Sequence, residues 1–126
     1  MNTPPMNDAE VRRWNMLCHL TALLGLIIPV GGNIVGPLVI WQLKKNEIPS
    51  TDLHGKAAVN FQITVSLAML AMGVITMISF FLCIGWLIAP LFLVIWWGGL
   101  ILSTIAGIQA NDGKDFKYPW SLKIIP

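Results

Sequence analysis

Between Lys56 and Asp112 the chain carries no Asp, Glu, Lys or Arg. A helix that crosses the hydrocarbon core of a bilayer needs about 20 apolar residues, so this stretch holds two such helices rather than one. A soluble domain of 126 residues has too much surface for its volume to hide that amount of apolar side chain. Charged residues make up only 11% of the sequence, against about 25% in ordinary soluble domains, which points to lipid as the solvent.

The charges fall in three short stretches. Asp8, Glu10, Arg12 and Arg13 form the first; Lys44, Lys45, Glu47, Asp52 and Lys56 the second; Asp112, Lys114, Asp115, Lys117 and Lys123 the third. Basic residues that flank apolar segments serve as interfacial anchors, and a net charge of +2 gives no reason to expect a nucleic-acid partner. Cys18 and Cys83 have neither CxxC nor zinc-ligand spacing. The apolar run from Met16 lacks a small-x-small cleavage site and does not read as a signal peptide.

The expected fold is all-α: a polytopic helical membrane protein with four segments arranged as two hairpins, the second segment short. Residues 1–13 read as a cytoplasmic tail, 14–111 as the transmembrane domain and 112–126 as an interfacial tail. The first helix is expected from Asp8 to Ile28, ending at Pro29 and Gly31-Gly32. Asn33 is the expected N-cap of a second helix that runs to Lys45. Thr51 or Asp52 is the expected cap of a third helix reaching Leu82. The fourth runs from Leu87 to Asn111, where Asn111-Asp112-Gly113 is a stop signal. The segment Leu20–Leu43 is compatible with one broken span or with a hairpin. The hairpin puts all eight Lys and Arg on one face, which is the stronger one-sided asymmetry. It places both termini and the Glu47 loop in the cytoplasm of a bacterial inner membrane. Trp14, Trp41 and Trp120 then lie near the basic face, with Trp86 at the opposite turn.

Three stretches carry a resemblance: His54-Gly55-Lys56-Ala57-Ala58-Val59-Asn60-Phe61-Gln62, His19-Leu20-Thr21-Ala22-Leu23-Leu24-Gly25, and Ala110-Asn111-Asp112-Gly113 followed by Tyr118-Pro119. Together they resemble a bacterial membrane family of unknown function related to the twenty-kilodalton subunit of the chloroplast inner-envelope translocon (Tic-like), and similar also to the magnetosome protein MamF. The resemblance implies four helices with cytoplasmic termini. Members carry an acid just before the histidine where this chain has Leu53, which puts a His–carboxylate pairing in question here. A MamF-like role in crystal growth would call for acidic groups on the outer turns, which have none.

His54 and Lys56 read as interfacial residues, with lipid phosphates or neighbouring acids as partners for Lys56. Asn60 and Gln62 enter the apolar region, where unpaired amides are costly, and on a helix they point to nearly opposite sides. Gln62 is expected level with Gln109 and Asn60 level with Asn111, with Asn60 turned toward Asn15 and His19. Gly73 on the third helix, with Gly99, Ser103 and Gly107 on the fourth, is expected to form a close packing seam. His19 reads as a packing residue, since no intramembrane acid accompanies it. No catalytic residue, cofactor or metal site is expected. The leading function is a non-enzymatic membrane protein acting through lipid or protein contacts, as an oligomer or an accessory subunit. A channel or translocation component built from several copies is the alternative. A small membrane enzyme or a holin-like pore former ranks below it.

Overall fold

The structure, a computed structural model, describes residues 6–126. The tail reading for residues 1–5 lies outside the described residues. Four helices follow one another: α1 (Asp8–Leu20), α2 (Gly32–Lys44), α3 (Pro49–Phe81) and α4 (Gly85–Asn111), with a 3-10 segment, Thr21–Leu26, between the first two. No strand occurs among the described residues. α1 begins where Asn7 Oδ1 accepts the Glu10 amide at 2.8 Å, and Asp8 and Glu10 place negative charge in the first turn.

The hairpins are unequal. α2 has 13 residues and α3 has 33, which at ~1.5 Å per residue makes α2 roughly 20 Å long and α3 roughly 50 Å. The 3-10 segment rises ~2.0 Å per residue and so carries the first hairpin deeper than six α-helical residues would. Even so, its tip at Pro29–Gly31 reaches only the level of Met69 and Leu70 on α3 and Leu93 and Trp96 on α4. Beyond that level α3 and α4 have only each other. Phe80, Phe81, Leu82, Trp86 and Leu87 are all exposed.

α3 and α4 are long and apolar enough to cross a membrane. Of the most apolar window in each, only 6% and 22% is buried inside the protein, so neither is the core helix of a soluble fold. Every charged stretch gathers at the opposite end. Lys44 Nζ lies 4.8 Å from the Trp14 ring there, and Arg12 lies beside Gly113.

Several local expectations change. The first helix leaves α geometry at Thr21, whose hydroxyl bonds the Leu17 carbonyl at 2.6 Å. α2 is entered through Gly31 in a left-handed conformation (φ 83°), not through an Asn33 cap, and Asn33 is already helical. α3 starts earlier than Thr51 or Asp52, with Pro49 in its first turn and no side-chain cap. The α3–α4 turn is centred on Cys83, tighter than the Cys83–Trp86 turn expected, and this shifts the register between the two helices. α3 and α4 end alike. Cys83 (φ 60°) donates to Phe80 and Ile84 to Ser79, while Gly113 (φ 79°) donates to Ala110 and Lys114 to Gln109. Both are Schellman motifs, with the left-handed position filled by Cys in one and Gly in the other.

Candidate functional site

The buried polar residues concentrate at the charged end, around the first turns of α3. Residues 54–62 point in several directions from one helix, and each direction meets a different element.

Toward α1, His54 Nδ1 lies 3.0 Å from His19 Nε2, and both rings are buried. His19 Nδ1 lies 2.7 Å from the Tyr118 hydroxyl, and His54 Nε2 lies 3.3 Å from Asp115. Burial lifts the Tyr118 phenol above its usual range, so it stays protonated and donates to His19. With both imidazoles neutral, one consistent order of protons follows: Tyr118 O–H to His19, His19 Nε2–H to His54, His54 Nε2–H to Asp115. One turn earlier, Asn15 accepts from Thr51 at 2.8 Å and donates to Ser50 at 2.9 Å.

Toward α2, the Trp41 ring lies directly against Gly55, where any Cβ would collide with it. Trp41 also donates from Nε1 to Asp52 at 2.8 Å. The other oxygen of Asp52 meets Lys56 at 2.8 Å, so Lys56 takes a neighbouring acid rather than a lipid phosphate. Gln62 accepts from Asn33 at 3.1 Å and donates to Ser103 of α4 at 2.6 Å, so one amide ties three helices.

On the opposite side of α3, the C-terminal segment runs back along the helix. The Asn60 amide exchanges two hydrogen bonds with the backbone of Ile125, at 2.9 and 2.7 Å. Tyr118 stacks on Phe61 with centroids 4.0 Å apart, and the Leu122 amide donates to Thr64 at 2.9 Å.

The expected partners of the amides are therefore replaced. Gln62 meets Ser103, not Gln109, because the earlier turn moves α4 by six residues, nearly two helical turns. Gln109 is half-buried and Asn111 exposed. Asn60 meets the C-terminal segment, not Asn111, Asn15 or His19. The seam also divides: Gly99 lies against Val65 of α3, with a built Cβ 3.1 Å from its Cγ1, whereas Gly107 lies against Leu20 of α1 at 2.6 Å. A Cβ on Gly73 would meet nothing, so Gly73 is outside the seam. His54 is buried rather than interfacial, and its carboxylate comes from Asp115 instead of the position held by Leu53. Asp115, Tyr118, Trp41 and Asn33 were not singled out as site residues. Tyr118 had one available signal, since it falls in a resemblance stretch.

These features define a helical membrane protein whose buried polar centre fastens every other element to the start of its longest helix. The chain belongs to the magnetosome magnetite crystal formation protein family, MamF/MmsF, whose model matches residues 10–125. No curated protein and no solved structure matches it. The similarity to MamF is thereby the part of the resemblance that the comparison supports.

Proposed function

We propose that this chain is a non-enzymatic, multi-pass protein of a bacterial inner membrane, with both termini and the Glu47 loop cytoplasmic. It acts through lipid around it and through a protein partner, a second copy or another membrane protein, along the uncovered half of α3 and α4. The observation that carries this reading is the length difference between the hairpins, which leaves Leu70, Met77, Leu91 and Val94 exposed. The one-sided placement of charge supports the topology. The non-enzymatic reading is supported by the polar centre itself, where each imidazole nitrogen of His19 and His54 already faces a protein partner.

A contribution to magnetite formation, the activity in the family's description, would run through such contacts. The α3–α4 turn offers no carboxylate to a mineral surface. The translocon relation and its channel reading find less support, because the helix interface is filled by His19, His54, Gln62 and Ser103.

A photo-cross-linking side chain placed in turn at Leu70, Met77 and Val94 of the full chain, in its native membrane, tests the proposal. Protein adducts at one or more positions are expected. Lipid adducts alone at all three would overturn the protein-contact reading.

A further inference from the structure

A groove of about 660 Å³ lies at the charged end between the first turns of α3 and the returning C-terminal segment. Its apolar wall includes Leu53, Ala57, Phe116, Leu122 and Ile125, and its polar rim holds Asp52, Lys56, Lys117 and Lys123. Leu53 and Leu122 are more than half exposed. The charges on the rim are not equivalent. Asp52 and Lys56 neutralise each other at 2.8 Å, and Asp52 also accepts from Trp41. Lys117 and Lys123 are exposed and form no ion pair among the described residues. The groove therefore presents two free ammonium groups beside an apolar wall.

Its depth fits the same ligand. The C-terminal segment is fastened at Asn60 and Thr64, so it lies where the last charge of α3, Lys56, gives way to uninterrupted apolar sequence. In a bilayer that level belongs to the headgroups, where phosphate and acyl chain meet.

We propose that this groove binds an anionic glycerophospholipid, its phosphate held by Lys117 and Lys123 and the upper part of an acyl chain laid against Leu53, Leu122 and Ile125. The inference rests on the membrane reading above and gives it a lipid class and an address. An ammonium group is a point charge that suits a phosphate, and basic pockets at this level recognise acidic headgroups.

The test is lipid binding to the detergent-purified full chain by native mass spectrometry, using dioleoyl-phosphatidylglycerol, dioleoyl-phosphatidylcholine and inorganic phosphate as separate probes. Phosphatidylglycerol should bind in preference to the other two. The double variant K117Q/K123Q should weaken it by on the order of thirtyfold, at about a factor of five per lysine. K44Q/K45Q removes the same charge elsewhere and should leave binding near the wild-type value. Equal weakening by the two variants would reduce the effect to net charge and overturn the site. Equal affinity for phosphatidylglycerol and inorganic phosphate would remove the acyl wall from the proposal and overturn it as a lipid site. Either failure would leave cross-linking at Leu70, Met77 and Val94 unchanged, so the two readings fail separately.

Discussion

His19 Nε2 and His54 Nδ1 face each other at 3.0 Å in the interior, and only one of the two can carry the hydrogen between them. Around the pair stand Tyr118 on one side and Asp115 on the other, both from the C-terminal segment. The pair is therefore a junction between two helices and that segment.

A proton added to His54 Nδ1 would meet the hydrogen on His19 Nε2, so His19 would have to carry it on Nδ1 instead and the Tyr118 hydroxyl would lose its acceptor. Proton uptake opposes the docked arrangement, so docking is complete above the ordinary imidazole range, about pH 6.5, and weakens as pH falls through it. The Leu122 and Ile125 amides report docking directly, since each donates to a side chain of α3. Their hydrogen exchange, corrected for the intrinsic pH dependence, should speed up between pH 7.5 and 5.5. In the double variant H19Q/H54Q that pH response should disappear. Exchange at these two amides that is independent of pH in the unaltered chain would refute the junction as a titrating element.

Gly55 and Gly73 lie on the same helix in opposite circumstances. Trp41 occupies the space a Cβ would need at Gly55, and nothing occupies it at Gly73. Gly55→Ala should cost about 1–3 kcal/mol through overpacking, while Gly73→Ala should be neutral or gain up to about 1 kcal/mol of helix propensity. Thermal unfolding in detergent separates the two. Equal melting temperatures would mean that Trp41 can move aside.

Cys83 holds a left-handed backbone conformation at φ 60°, at the position that Gly113 fills in the other helix end. A side chain in that region costs roughly 1–2 kcal/mol, which glycine does not incur. Cys83→Gly should stabilise the protein by about 1 kcal/mol, and Cys83→Ala, which loses the thiol but keeps the Cβ, should not. Identical unfolding midpoints for the two variants would rule out backbone conformation as the controlling factor.

Gln62 joins Asn33 and Ser103 across three helices, yet hydrogen bonds within membranes contribute little individually. Gln62→Leu should cost about 1 kcal/mol, within the narrow range measured for such bonds. A loss several times larger in the same unfolding assay would show that the network behaves cooperatively.

Much of this architecture was readable from charge placement and turn residues. The charge-free run between Lys56 and Asp112 implied the long hairpin, and Asn111-Asp112-Gly113 marked its end at the correct residue. The short second helix followed from the distance between Asn33 and Lys45, and the observed helix, Gly32–Lys44, differs from that by one residue at each end. Partner choice was less accessible, because it depends on small geometric offsets. The α3–α4 turn is centred on Cys83, two to three residues earlier than a Gln62–Gln109 pairing requires, and Gln62 meets Ser103 instead. The His19–His54 pair joins residues 35 apart and required the close approach of α1 and α3. Asp115 and Tyr118 could not be placed without knowing that the C-terminal segment turns back along α3, which no periodicity encodes in a stretch without regular structure.

The unequal hairpins give the molecule a taper. Four helices and a returning segment fill its cross-section at the charged end, and a helix pair fills it at the other. Embedded in a bilayer, such a body occupies more area in one leaflet than in the other. Neighbouring lipids would have to fill the difference on the narrow side, which favours a curved membrane over a flat one. Many copies inserted with the same orientation would add their effects, and the sign of the bend follows from the end at which the charges lie.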